Sequence, residues 1–288
     1  MQQLLYIVWD IDPEMFTIPG INWPVRWYGF LFAMAFLFSQ VIMSRVFKAE
    51  LREQKDLDLL TLYVIAGTVL GARLGHCLFY DPDYYLSHPL DILKIYEGGL
   101  ASHGGAIGIL TALYLYSRKT KENVLWILDR IVLVVPLSSM FIRLGNLMNS
   151  EIIGKVSGSD FGVKFIRSAE DAYTYSIAGL EAVPARHPSQ LYEAVFYALL
   201  SLFMLYLWKS KREKLTQGFS IGIFLIILFV FRFFIEFTKM PQEDFENSLP
   251  INMGQILSIP FIIGGSLLIW NGKRKKIFHE LPKATKKN

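Results

Sequence analysis

The sequence predicts an all-α polytopic membrane protein with about seven transmembrane helices and a small extracytoplasmic head insertion. Its 288 residues are 53% hydrophobic and 15% aromatic, and the mean hydropathy is +0.36. Yet the chain carries 29 Lys and Arg and 25 Asp and Glu. Such a balance requires long apolar segments separated by charged loops, not one evenly amphipathic core. Seven stretches are long enough to cross about 30 Å of hydrocarbon as helices.

Residues 1–26 hold no Lys and one Arg, at position 26, so the positive start of a cleavable signal is missing. Asp10, Asp12, Pro13, Pro19 and Pro24 interrupt this stretch, which reads as an extracytoplasmic interfacial arm. Arg26-Trp27-Tyr28-Gly29 opens the first span, 27–46, with the arginine and aromatics of an interface anchor. Spans at 59–80, 99–116 and 124–146 complete a first block, 27–146. Residues 147–188 are the one long insertion outside the apolar runs. There Gly154, Gly158, Gly162 and Gly179 mix with Val163, Phe165, Ile166, Tyr173 and Tyr175, which predicts a small head with short strands. It is too short to be an independent enzyme domain. Spans at 189–208, 218–237 and 253–270 form a second block, 189–270, before a basic tail, 271–288.

Orientation follows from the tendency of positive loops to stay in the cytoplasm. The loops 45–58, 117–123 and 209–216 and the tail carry 18 Lys and Arg, against 7 in 1–26, 81–98, 147–188 and 238–252. The tail is therefore expected in the cytoplasm and the N-terminus outside. Most polar residues of the apolar runs then fall at extracytoplasmic ends: Arg73 and His76, His103, Arg143 and Asn146, His187 to Glu193, Arg232 and Glu236, Asn252 and Gln255. Ionisable groups at membrane depth cost about 2.5 kcal/mol or more each, so their concentration on one side marks the functional side. Asp129 and Arg130 are the exception; their adjacency suggests local pairing or helix-terminal placement.

Within Glu97–Gly108, five glycines surround His103. Glycine lets substrate or backbone approach closely, and imidazole can take a proton near neutral pH. A tight helix-packing seam explains the same glycines. Arg143, Asn146 and Asn149 recur every third position, and a guanidinium with flanking amides suits phosphate oxygens; an Arg143–Glu151 ion pair is the structural alternative. Arg232 and Glu236 stand four apart on one helix, spacing that serves a structural pair or an anion site. His187-Pro188-Ser189-Gln190-Leu191-Tyr192-Glu193 reads as a helix start, with Pro188 at the first helical position, and Gln190, Tyr192 and Glu193 as supports for the site. The lone Cys77 excludes a disulfide framework and a cysteine metal cluster, and reads as a packed thiol. No nucleotide-binding loop, zinc pair or nucleophile elbow is present, and nothing marks a metal, a cofactor or a nucleic-acid partner.

Together these segments resemble bacterial prolipoprotein diacylglyceryl transferase, over nearly the whole chain from Arg26-Trp27-Tyr28-Gly29 to Met253-Gly254-Gln255-Ile256-Leu257-Ser258. The most specific parts are Gly98-Gly99 through His103-Gly104-Gly105, the run Arg143, Gly145, Asn146, Asn149, Glu151, Gly154, and His187 to Glu193. The resemblance implies transfer of a diacylglyceryl group from phosphatidylglycerol to the lipobox cysteine of a prolipoprotein signal peptide. It implies His103, Arg143 and Arg232 as catalytic. Tyr28, Asn146, Glu151 and Gly154 would join the arginines in binding substrate, and Gln190, Tyr192, Glu193 and Glu236 would support them. Three positions depart from the pattern: Ile142 for a glycine, Leu147 for an aromatic and Lys239 for an arginine. A lipid transporter or flippase would also show broken helices and buried charge, but the polar groups favour one side and no inverted repeat is visible. A receptor for signal peptides would not need phosphate-matched arginines.

Overall fold

The computed structural model describes residues 6–95, 99, 101–158, 161–240 and 251–279. Glu97, Gly98 and Leu100 of the glycine-rich run, and the tail beyond His279, lie outside these residues. In chain order the elements are β1 (Tyr6–Trp9), β2 (Glu14–Ile18), β3 (Trp23–Arg26), α1 (Trp27–Ala49), α2 (Gln54–Phe79), α3 (Pro82–Ser87), α4 (Ser102–Thr120) and α5 (Val124–Ile131). There follow α6 (Val135–Met148), β4 (Gly162–Phe165), α7 (Ala172–Ala178), α8 (Ser189–Lys211), α9 (Phe219–Ile235) and α10 (Met253–Lys275).

Five helices are long and apolar enough to cross a membrane: α1, α2, α8, α9 and α10. A sixth crossing results if α5 and α6 count as one bent span. The break between those two, at 132–134, falls just before Pro136, which lacks the N–H that a continuous helix would need. Helix α4 has 19 residues but is not in this group. Ser102-His103-Gly104-Gly105 at its start and Arg118-Lys119 at its end dilute its apolar middle.

The chain divides into two compact units, Met1–Val41 with Val132–Phe278, and Ile42–Ile131 with His279–Asn288. In the first, β1 pairs in parallel with β4, Tyr6 opposite Gly162 and Trp9 opposite Phe165. Leu147, Ile153, Val163 and Phe165 bury a small core against which Trp9 packs. The Trp9 indole N–H donates to the Leu147 carbonyl at 2.9 Å, satisfying its one polar atom. β2 and β3 form an antiparallel hairpin that leads into α1. The segment after α6 is laced to residues 185–187: Gly154 N–H donates to His187 O at 2.9 Å, Ser157 N–H to Ala185 O at 2.8 Å, and Val163 and Arg186 exchange both backbone bonds. Arg186 also binds both Asp171 oxygens, at 2.6 and 2.8 Å; these bonds hold its guanidinium protonated above its ordinary pKa. Helix α8 starts at Ser189 with Pro188 at its cap, one position earlier than expected for the proline. Helix α10 starts with a capping box between Asn252 and Gln255.

In the second unit, α2 and α4 pack along a glycine seam. A Cβ added at Gly75 would lie 2.6 Å from Gly104 Cα, and one at Gly67 would lie 2.6 Å from Ala112 Cβ. Gly71, Gly104 and Gly108 are equally tight. Small residues let the two backbones meet, as membrane helices require where no apolar driving force separates protein from lipid. The seam reading thus accounts for Gly104 and Gly108. Asp129 and Arg130 lie in the last turn of α5, the helix-terminal placement, and each has a distant partner. Arg130 binds the Glu50 carboxylate at 3.0 to 3.1 Å, and Asp129 Oδ2 lies 2.7 Å from His279 Nε2, both pairs being buried. Cys77 is a buried free thiol, as its apolar neighbours predict.

Candidate active site

Two Arg-Leu-Gly motifs occupy different environments. In the second unit, Arg73 is buried and directs its donors at main-chain carbonyls: Nε to Ile92 O at 2.9 Å and Nη2 to Asp91 O at 2.6 Å. Its guanidinium also lies over the Tyr85 ring. This is a staple for the loop after α3. Gly99, with φ +69°, lies against Arg73 and His76, leaving no room for a Cβ.

In the first unit, Arg143 sits in the penultimate turn of α6, with Gly145 and Asn146 behind it. Tyr28, at the start of α1, packs its ring on Gly145; a Cβ there would lie 2.8 Å from Tyr28 Cδ2. The helix ends at Met148, so Asn149 is its cap and not a third member of the Arg143 face. Ser150 and Ile152 then take left-handed φ values of 53° and 56°, folding Glu151 back beneath the helix. There Asn146 Nδ2 donates to Glu151 Oε2 at 3.2 Å and Asn149 Nδ2 to Oε1 at 3.0 Å. Arg143 Nη1 donates to Asn146 Oδ1 at 3.3 Å. Glu151 thus reaches Arg143 through Asn146 and not by the direct ion pair that was the structural alternative. Gln190 Nε2 clamps the turn by donating to Glu151 O at 2.6 Å. A cavity of about 380 Å³ beside this turn is lined by Trp23, Arg26, Tyr28 and Asn149, among others.

From Arg143 a ladder of charge runs through the unit. Arg143 Nε lies 3.0 Å from Glu193 Oε2, although the N–H is not aimed along that line, so the contact is an ion pair and not a hydrogen bond. Glu193 Oε1 accepts from Lys239 Nζ at 2.9 Å, and Lys239 Nζ lies 3.6 Å from Glu236 Oε1. The same Glu236 oxygen is 3.7 Å from Arg232 Nε, while Asn252 Nδ2 donates to Glu236 Oε2 at 3.2 Å. The inner members are closed off: side-chain exposure is 3% for Glu193 and 6% for Lys239. The ends are more exposed, at 18% for Arg143 and 43% for Arg232. Arg232 Nε has no hydrogen-bond acceptor among the described residues. The donors of Arg232, and those of Arg143 beyond the Nη1 that Asn146 accepts from, can bind an oxyanion such as phosphate.

Other expected site residues sit differently. Tyr192 turns away from the ladder, its hydroxyl 3.4 Å from His187 Nδ1. Gly154 is a packing position, where a Cβ would lie 2.5 Å from both His187 O and Ser189 Oγ. His103 belongs to the second unit, in the first turn of α4; its side chain is exposed and makes no hydrogen bond among the described residues. Lys239 and Asn252 belong to the ladder although the sequence marked the first only as a departure and the second only among the polar residues at the extracytoplasmic ends. The spacing Glu236-x-x-Lys239 was the available signal for the former.

A family model described as prolipoprotein diacylglyceryl transferase matches residues 13–271. Similar chains are named phosphatidylglycerol–prolipoprotein diacylglyceryl transferase. One from Chloroherpeton thalassium is 46% identical, covering 94% of this chain and 96% of its own. One from Tolumonas auensis is 44% identical over 94% and 99%, and one from Bacteroides fragilis 43% over 95% and 98%.

Proposed function

The chain belongs to the prolipoprotein diacylglyceryl transferase family, and from that premise we propose that it moves the diacylglyceryl group of phosphatidylglycerol onto the thiol of a prolipoprotein's lipobox cysteine. A C–S bond forms at the glycerol carbon that bears phosphate. The C–O bond to phosphate breaks, and glycerol phosphate leaves with the electron pair. The product is a thioether, the first step of bacterial lipoprotein maturation.

A thiol of pKa about 8.5 is mostly protonated at neutral pH, so attack needs a proton acceptor. His103 is our candidate, and its exposed side chain is compatible with that role. Departure of glycerol phosphate adds one negative charge to the phosphate, and Arg143 and Arg232 are our candidates to stabilise it. Fixed positive groups in a poorly hydrated site do so without reorganising during the step. One observation carries this reading: a single ladder, Arg143–Glu193–Lys239–Glu236–Arg232, holds both guanidiniums by their Nε edges. Tyr28, Asn146 and Glu151 are proposed to bind the headgroup beside Arg143, with Gln190, Glu193 and Glu236 holding the site and Tyr192 supporting the His187 turn. Gly154 contributes through packing.

We place the chain in the bacterial inner membrane with seven crossings, counting α4, and with 1–26 and the head 147–188 outside and the tail 271–288 in the cytoplasm. The support is the excess of Lys and Arg in the alternate loops. The test is purified protein in phosphatidylglycerol vesicles with a synthetic lipobox peptide, read by mass spectrometry. A diacylglyceryl adduct with matching release of glycerol phosphate is expected, and none when the peptide cysteine is replaced by serine. An adduct that persists on the serine peptide, or no adduct from folded protein, sinks the reading.

A further inference from the structure

Glu193 and Glu236 each face an arginine, and one ammonium stands between them. Lys239 Nζ is 2.9 Å from Glu193 Oε1 and 3.6 Å from Glu236 Oε1. We propose that Lys239 is a positioning residue for the transfer, dividing each carboxylate between itself and an arginine so that neither carboxylate closes fully on its guanidinium and the donors that remain, on Arg232 and on Arg143 beyond the Nη1 held by Asn146, can meet phosphate.

The backbone that carries the ammonium is fixed on both sides. Lys239 bridges antiparallel to Gly154, Lys155 N–H donates to Thr238 O at 2.8 Å, and Lys239 N–H donates to Glu236 O at 3.3 Å. Asn252 fixes the far oxygen of Glu236 from the cap of α10. Glu193 contacts Lys239 with one oxygen and Arg143 with the other. Glu236 faces Lys239 and Arg232 with the same oxygen, and at longer distances. Without the ammonium, two nearly buried carboxylates would have only the arginines to neutralise them. Buried ions seek the partners that remain, so each would close on its guanidinium and compete with the substrate phosphate. The pattern asks for one positive charge reaching two carboxylates, which the lysine ammonium supplies and an arginine could also supply. The substitution at this position is therefore a working part of the ladder.

The inference rests on the diacylglyceryl-transfer reading above, and the test separates the two. Wild type, Lys239→Gln and Lys239→Arg, each as the full chain in phosphatidylglycerol vesicles, are assayed with the lipobox peptide for kcat and apparent KM and melted in parallel. In folded Lys239→Gln, kcat is expected to fall at least about tenfold with KM for the peptide within about threefold, while Lys239→Arg returns kcat to within about threefold. A purely structural lysine would instead lower activity only in proportion to the folded fraction, and that result overturns the proposal. So does a folded Lys239→Gln with turnover within about twofold of wild type. If Lys239→Gln does not fold, Lys239→Arg decides alone: recovery supports the proposal, and a loss beyond about tenfold in folded protein refutes it. Absence of thioether from wild type would refute the transfer reading itself, whereas an active wild type matched by Lys239→Gln removes only the role of Lys239.

Discussion

Glu193→Gln removes one charge from the middle of the ladder while keeping the shape of the side chain. The carboxylate is 3.0 Å from Arg143 Nε and 2.9 Å from Lys239 Nζ. At that separation each attraction is about 5.5 kcal/mol at an effective dielectric constant of about 20. Desolvation of the carboxylate offsets much of this, and removing one partner of a buried pair costs about 3–5 kcal/mol net. The amide oxygen can still accept from one of the two cations, so the lower figure, about 3 kcal/mol, is expected. At about 2–4 °C per kcal/mol for a chain of this size, the melting midpoint should fall by about 6–12 °C. Arg143 would then be held through Asn146 Oδ1 at 3.3 Å, and turnover should fall at least about tenfold. Thermal unfolding of detergent-purified protein and initial rates of thioether formation check both numbers. A midpoint within about 2 °C of wild type, with unchanged rate, would show that the ladder neither stabilises the unit nor positions Arg143.

Gly154→Ala places a methyl 2.5 Å from His187 O and Ser189 Oγ, so backbone must move; a loss of about 1–3 kcal/mol is expected, with reduced turnover through the attached Lys239, and an unaltered melting curve would argue against the packing role. Gly71→Leu should separate α2 from α4, because a Cβ at Gly71 already meets the Gly104 carbonyl; folded yield should collapse, whereas Gly20→Ala, with no atom within 4 Å of its added Cβ but a φ of +93°, should show only modest loss. Outside the membrane helices, Asp91 is held below its ordinary carboxylate pKa by hydrogen bonds from Lys94 and Tyr84. A depressed folded pKa means this contribution is present above the unfolded value and lost as pH falls through the folded one. Proteolysis of the 81–95 segment should therefore be unchanged from about pH 7 to 5 and rise only below about pH 4; a rise near pH 6 would contradict the assignment.

Most apolar runs read directly as helices because they are long enough to show, although 124–146 breaks ahead of Pro136, and the clustering of Arg143, Asn146, Glu193, Arg232 and Glu236 at matching ends pointed to one polar region. What sequence could not resolve is pairing over long separations. Arg130 finds Glu50, Asp129 finds His279, and β1 pairs with β4, none of which local spacing encodes. Arg73 and Arg143 share a motif, yet one anchors a loop and the other faces the candidate site, since the carbonyls around Arg73 come from residues 91 and 92. The glycines around His103 invited a substrate-access reading, whereas the recurrence of glycine every fourth residue at 67, 71 and 75 and at 104 and 108 was the signal for helix packing. Lys239 looked like a weakened arginine until its two carboxylate neighbours were in place.

A shared phosphate site for both arginines is tested by single-turnover formation of the thioether, with glycerol phosphate counted alongside, in Arg143→Ala, Arg232→Ala and the double variant. If two guanidiniums stabilise one departing phosphate, each single change should slow the chemical step about a hundredfold or more, in folded protein that still binds the lipobox peptide. Because both act on the same phosphate, the double variant should lose less than the product of the two. Wild-type chemistry in either single variant, or fully independent losses, would contradict it.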